Sequence, residues 1–554
     1  MATAADVLVD TLADWGVEVA FGMPGDSIDP IMEALRRDKR IRFVLVRHEE
    51  AAALAASAYA KLTGRLAACL GTSGPGSVHL LNGLLDASLD HAPVVAVTGQ
   101  VDSHLLGTDY FQEVDLPAVL GHACVWSKLA VQPDEVGLLT ATACRMALAR
   151  HGPAHLSVPF DIGRASVSPD TTPAKPHPRL LVAVPTSEDL DAAAALLNAA
   201  ERPVILAGRG GYGARAELLQ VAERLQAPVV HTLPAKGVIP EDHPLSLGGL
   251  GLLGGAPAHR AMEKTDALLM VGTSYPYLEF LPQKAKTVQI DADPAQIGKR
   301  HAVTVPLVGT AQPTLKALAG RISRAQPRGF VAALERERDA WWDRRDKEGS
   351  RTDTPLHPQV VAQAVGEVFD RRATFVCDVG NILVWMAHHL RVTDGRFLTS
   401  AWLGTMGFGV PGAIGAALAR PEAPVVAVCG DGGFAMQQAD LVTAVRYNLP
   451  VTIVVLVNDK LAMIKYEQEV AGYPEWEVDL VNPDFARLAE AAGAAGITVR
   501  TFDEVRPALE QARDSSRPTV VACHVRANEM PLPPRIAPGQ AMHYALALFR
   551  ETFE

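Results

Sequence analysis

Cysteine is scarce in this chain. Its 554 residues hold six, at Cys69, Cys124, Cys144, Cys377, Cys429 and Cys523, and none forms a CxxC pair. Scattered thiols of this kind argue against a disulfide framework and predict buried free cysteines in a reducing, cytoplasmic setting. Long hydrophobic runs are missing too. VTIVVLV (451–457) has the length of a strand and is far too short to cross a bilayer, so no integral membrane contact is expected. No block of Lys and Arg stands out and the net charge is −11, which makes nucleic acid an unexpected partner. The first residues, MATAADVLVDTLADWG, carry Asp6, Asp10 and Asp14 and lack a basic region. They predict an amphipathic helix rather than a signal peptide.

What is present is ordinary for a large globular chain: 48% hydrophobic and 20% charged residues. A proline-rich stretch from Arg164 to Pro185, and SRTDTPLHP after the charged run ALERERDAWWDRRDKEG, read as linkers. They divide the chain into three domains, 1–165, 186–330 and 355–540. Each alternates apolar strand-length runs with helical patterns, for example RFVLV, LAACLGT and PVVAVTGQ in the first. Continuous Val/Ile/Leu strands between helices predict an α/β class with three doubly wound parallel-sheet domains, covered on both faces.

The most informative stretch is VVAVCGDGGFAM (425–436). VVAVC reads as a buried strand, Phe434–Tyr447 as a helix and VTIVVLV as the next strand, ending at Asn458. In such a right-handed βαβ unit Asp431 and Asn458 share the carboxyl edge of the sheet, where open α/β sheets bind ligands. Gly430, Gly432 and Gly433 permit close backbone approach, and a helix starting after Gly433 would aim free N–H groups at a phosphate. One carboxylate and one amide oxygen are hard ligands suited to Mg²⁺. The set predicts a metal ion and a diphosphate; an Asp that merely caps a helix is the plainer alternative.

GDG, then 25 residues, then Asn, resembles the thiamine diphosphate signature of the decarboxylase and acetolactate synthase superfamily. The resemblance implies Mg²⁺ held by Asp431, Asn458 and the main-chain oxygen of Lys460. It also bears on Glu49, which follows a strand in RFVLVRHEEAAALAASAYAKLTG. From the residues alone, a buried Glu49 with a raised pKa and a Glu49 that only favours a helix dipole are equally good readings. VRHEE followed by GTSGPGSVHLLNGL (71–84) resembles the superfamily's pyrimidine-binding domain, with Glu49 as the activating acid and Gly74 and His79 lining the cofactor pocket. RHEE rather than RHEQ is nearer the pyruvate oxidases. GTMGFGVPGAIGAAL (404–418) resembles the segment that bends the cofactor over Met406, and Met463 is placed beside it. The family draws its site from two subunits, so a homodimer or homotetramer is implied.

In the central domain Gly208, Gly210 and Gly213 spell G-x-G-x-x-G, a weak signal alone. Thr273, Ser274, Asp291 and Asp293 fall at later strand ends and would suit a dinucleotide; an empty scaffold is the alternative. Segment 231–262, GTSYPY and DADPAQIG resemble FAD-binding segments of pyruvate oxidase and acetolactate synthase. Segment 461–493 and the tail 528–541 are most similar to pyruvate oxidases, with Phe111 and Gln112 at the pyruvate and Glu467 as an active-site glutamate. The implied reaction is oxidative decarboxylation of pyruvate or a related 2-oxo acid, with FAD taking two electrons and the acetyl group leaving to phosphate or water. An acetolactate synthase-like carboligase, a non-oxidative decarboxylase, and an inactive cofactor-binding subunit are the alternatives. Ala462 stands where the family often has Gly. The chain ends soon after its PPRI tail, so the lipid-binding extension of the quinone-linked oxidase is not expected.

Overall fold

The computed structural model describes residues 2–168, 182–323, 329–369 and 372–529. Among the described residues the apolar runs form eighteen short strands, the inner strands of each sheet buried on both faces and edge strands such as Arg42–Leu45, Trp126–Leu129, Val305–Val308 and Ala495–Val499 partly exposed. The first sheet contains β1 (Val19–Gly22), β2 (Arg42–Leu45), β3 (Ala67–Gly71), β4 (Val94–Gln100), β5 (Trp126–Leu129) and β6 (Ala154–Pro159). The second contains β7 (Pro203–Ala207), β8 (Val229–His231), β9 (Ser246–Gly249), β10 (Ala267–Val271), β11 (Lys286–Asp291) and β12 (Val305–Val308). The third contains β13 (Thr374–Cys377), β14 (Arg396–Leu398), β15 (Val425–Gly430), β16 (Val451–Val457), β17 (Ala495–Val499) and β18 (Thr519–His524). Every ladder is parallel. Parallel pairing needs crossover helices, and those helices cover both faces.

The spatial orders are β2-β1-β3-β4-β6-β5, β12-β11-β10-β7-β8-β9 and β14-β13-β15-β16-β18-β17. Counted within each domain, the outer sheets share one topology, 2-1-3-4-6-5. The central sheet follows 3-2-1-4-5-6, the dinucleotide-binding order. Strand order therefore reverses between β13 and β15 in the third sheet and between β7 and β10 in the second. Asp378 follows β13 and Asp431 follows β15, so the switch point of the third sheet is flanked by two carboxylates.

The outer domains pack directly on one another through helix Glu49–Thr63 against helix Gly409–Ala419. Small residues make this possible. A Cβ at Gly415 would lie 2.3 Å from the Ala55 carbonyl oxygen, so only glycine fits there. Leu45 N donates to the Tyr447 hydroxyl (2.7 Å) and Arg47 N to Asp440 Oδ1 (2.9 Å) across the same seam. Within the central domain Lys236 and Glu241 form a buried pair (2.8 Å), and both partners reach the third domain: Val392 N donates to Glu241 Oε2 (2.7 Å) and Lys236 Nζ donates to the Ala387 carbonyl (3.2 Å).

Two local expectations are corrected. The helix after β15 begins at Asp431 itself, not beyond Gly433, and it does not run unbroken to Tyr447. It ends at Gln437, passes through a tight turn at Gln438–Asp440 and resumes over Leu441–Arg446. Asp440 at this break is committed to Arg47 N and to the Thr443 hydroxyl (2.7 Å), so its side chain serves the domain seam. The stretch read as a second linker is also pinned: Leu356 bridges to Val525, and His357 bonds both Asp353 and Glu529. The tail from 530 onward, and 169–181 within the first linker, lie outside the described residues.

Candidate active site at the sheet edges

Asp431 is the first residue of its helix and is 2% exposed. Its Oδ1 accepts from Gly432 N (2.9 Å). Its Oδ2 accepts from Asn458 N (3.0 Å), Asp459 N (2.6 Å) and Asn482 Nδ2 (3.0 Å). Burial raises its pKa, and these N–H donors work against that rise. Among the described residues no Lys or Arg side chain hydrogen-bonds to it. A buried carboxylate held by neutral donors keeps its negative charge for a cation, so the donor set fits a divalent ion with oxygen ligands.

The register β15–β16 pairs Gly430 with Leu456, which places Asn458 beside Asp431 as the spacing implies. Asp459 follows with φ +54°, and the Lys460 side chain turns away to Glu475 and Asp479.

Met406 arrives over the same glycines. A Cβ on Gly432 would meet Leu461 Cδ2 at 3.2 Å, Leu480 Cδ1 at 3.3 Å and Met406 Cε at 3.8 Å. The turn carrying Met406 is held by Asp378, whose fully buried carboxylate accepts from Gly407 N (2.8 Å), Gly409 N (3.2 Å) and Val379 N (2.8 Å). Asp378 also packs on Gly433, where an added Cβ would come within 2.7 Å of Oδ2. In the next helix, Ala462–Ala471, Ala462 is buried, Met463 half-buried and Glu467 exposed. Its buried carboxylate is instead Glu469, paired with Lys465 (2.7 Å).

In the first domain Glu49 opens helix Glu49–Thr63 and is 6% exposed. Its Oε2 lies 3.0 Å from His79 Nδ1, and His79 stacks on His48 with ring centroids 4.5 Å apart. A Cβ on Gly76 would sit 3.0 Å from Glu49 Oε1. Gly74 (φ +62°) and Gln112 (φ +63°) form a close pair, with a built Gly74 Cβ 3.0 Å from Gln112 Cβ. Phe111 beside it is 76% exposed. Glu50 points elsewhere: Asn82 Nδ2 joins Glu50 Oε1 (2.6 Å) to the Thr405 hydroxyl (2.9 Å), next to Met406.

In the central domain Gly208 and Gly210 close the switch point. Built Cβ atoms there would lie 2.3 Å from Gly272 O and 2.9 Å from Gly272 Cα, so both glycines serve close approach of two strand-end loops. A Cβ built on Gly213 meets nothing within 4 Å among the described residues. Thr273 Oγ1 accepts from Tyr275 N (3.1 Å), and Ser274 Oγ accepts from Arg300 (2.9 Å). Asp291 ends β11 with Asp293 N on its Oδ1 (3.0 Å), and burial pushes its pKa up to about 6. Asp291 ends the fifth strand of the 3-2-1-4-5-6 sheet; the second strand, where a dinucleotide fold usually carries its ribose acid, ends in His231.

The structure thus gathers Asp431, Asn458, Met406 and the GDGG glycines at one sheet edge, and Glu49, His79, Gly74 and Gln112 at another. Sequence reasoning missed Asp378, Asn482 and Asn82. Asp378 had a signal, since CDVG ends a strand as CGDG does; the two asparagines had none.

Comparison with known proteins agrees with the three-domain order. Three thiamine pyrophosphate enzyme models match in order: the N-terminal TPP binding domain over 2–119, the central domain over 190–318 and the C-terminal TPP binding domain over 378–523. YdaP of Bacillus subtilis, whose name carries thiamine pyrophosphate but no reaction, is 43% identical over 100% of this chain and 96% of its own. The pyruvate oxidase of Lactiplantibacillus plantarum is 34% identical over 92% of this chain and 86% of its own. An acetolactate synthase of Mycobacterium bovis is 33% identical over 97% and 90%. With its three parallel-sheet domains in family order, the chain belongs to the thiamine diphosphate-dependent pyruvate oxidase and acetolactate synthase superfamily.

Proposed function

We propose that the protein catalyses oxidative decarboxylation of pyruvate or a related 2-oxo acid, yielding acetyl phosphate or acetate and CO₂. The observation that carries the thiamine part is Asp431, a buried carboxylate without a cationic partner among the described residues, at a topological switch point. The flavin part is supported by the 3-2-1-4-5-6 central sheet with Asp291 at a strand end, and by the likeness to a pyruvate oxidase. Bound thiamine diphosphate would supply an electron sink for loss of CO₂, Mg²⁺ the charge that holds the diphosphate, and FAD a two-electron acceptor.

The chain's own residues do the rest. Asp431, Asn458 and the Lys460 carbonyl offer oxygens to the metal. Met406, on its Asp378-held turn, shapes the pocket above Gly432. Glu49 keeps one carboxylate oxygen on His79 and offers a proton from the other. Gln112 and Phe111 stand beside Gly74 to orient the 2-oxo acid. The exposed Phe111, and Trp476 at 72% exposed, mark apolar surface that a second copy of the chain would cover.

A carboligase reading is favoured by the acetolactate synthase relative. An absorbance spectrum of the purified protein, before and after anaerobic pyruvate with Mg²⁺ and thiamine diphosphate, separates the two. A flavin band that bleaches is the expected result. A band that persists while acetolactate forms would overturn the oxidase reading in favour of ligation.

A further inference from the structure

We propose that Asn482 is a positioning residue of the metal loop, holding the Asp431 and Asp459 carboxylates together for a divalent cation. The proposal rests on the reading of Asp431 as a cation ligand. Its basis is a single amide group shared between two carboxylates. Asn482 Nδ2 lies 3.0 Å from Asp431 Oδ2 and 2.9 Å from Asp459 Oδ1. An amide nitrogen carries two protons, so it can serve both acceptors at once.

The two carboxylates are neighbours by construction. Asp459 N donates to Asp431 Oδ2 (2.6 Å), and Asp459 takes a left-handed backbone (φ +54°), a conformation that Asn and Asp tolerate better than other side chains. Two acids this close repel, and among the described residues neither is paired with a Lys or Arg. A lysine at position 482 would neutralise them and compete with a metal. An asparagine gives hydrogen bonds without positive charge, so the loop is ordered while its charge stays available.

Asn482 also comes from outside the βαβ unit. The segment leading to it lies along the metal loop: Leu461 N donates to Val478 O (2.7 Å), Leu480 N donates to Asp459 O (2.9 Å), and Lys460 pairs with Asp479 (2.5 Å). These contacts fix where the amide arrives. Pro483 follows and restricts the Asn482 backbone to extended conformations.

Outer-shell partners of metal ligands typically change affinity by about 10–100-fold when removed. The test is Mn²⁺ binding to the full-length protein with thiamine diphosphate, read by electron paramagnetic resonance of free Mn²⁺. Asn482→Ala should weaken Mn²⁺ by at least about 10-fold. Asn482→Ser, which keeps a short donor, should recover part of that loss, and the thermal midpoint of both variants without metal should stay near wild type. Asp431-dependent Mn²⁺ binding that is equally tight in wild type and Asn482→Ala overturns the proposal. Binding that is equally tight in wild type and Asp431→Ala is a different result: it removes the metal reading itself, and the proposal with it.

Discussion

Glu49 and Glu50 are adjacent in sequence and separate in fate. Both open the same helix, where either would favour the positive end of its dipole. Only Glu49 turns inward to His79; Glu50 is taken by Asn82. Helix periodicity cannot choose between them, because the choice is made by residues 30 and 32 positions away. Glu49→Gln should keep the fold and lower decarboxylation at least about 100-fold, the usual scale for a positioned proton donor. Near-normal CO₂ release from pyruvate would remove the assigned role. Asp431→Ala should lose Mg²⁺-dependent affinity for thiamine diphosphate, measured by calorimetry with and without the metal; an unchanged affinity would place the cation elsewhere. Asp431 and Asn458 were legible because one local unit, strand–helix–strand, brings them together. Asn482, 51 residues from Asp431, has no periodic relation to it and only the folded chain reveals their contact.

The runs named from sequence, such as RFVLV, LAACLGT, PVVAVTGQ, VVAVC and VTIVVLV, fall on β2, β3, β4, β15 and β16, since continuous Val/Ile/Leu runs leave few alternatives in a parallel sheet, whereas edge strands such as β5 and β17 carry no such run. The helix after β15 was read less well. At its break, Gln438–Asp440, Asp440 accepts from Arg47, a residue of another domain, and local propensity carries no trace of that contact. Helix-to-helix packing was likewise invisible, although the alanines of Glu49–Thr63 hint at a close neighbour. That closeness makes a sharp prediction. Gly415→Val would press its side chain on the Ala55 carbonyl and should destabilise the protein by about 1–3 kcal/mol, as overpacking does. Calorimetry against Gly415→Ala, which carries the smallest side chain into the same helix position, separates the size of the clash from the loss of glycine. An unchanged midpoint in Gly415→Val would show that the seam can open there.

At the scale of the whole molecule the central domain is held by charge as well as by apolar contact. Burial alone would push the Glu241 carboxyl up, but Lys236 and His231 outweigh it and hold it at about 2, against an ordinary 4.5. A depressed carboxyl stabilises the fold above its unfolded pKa and loses that contribution as pH falls. The loss runs from pH 4.5 down to about 2. Acid unfolding of Glu241→Gln should therefore be flatter across that window than that of wild type; parallel curves would show the pair to be passive. Subunit exchange tests the shared site. Mixed Glu49→Gln and Asp431→Ala subunits should regain activity if each site draws on two chains, and should stay inactive if each chain is self-sufficient. The packing of helix Glu49–Thr63 on helix Gly409–Ala419 also has a consequence in time. The ribosome must add about 350 residues between the two, which at roughly 5–20 residues/s takes roughly 20–70 s. For that interval a nearly all-alanine helix face waits without its cover, and the newborn chain depends on whatever shields it until its second half emerges.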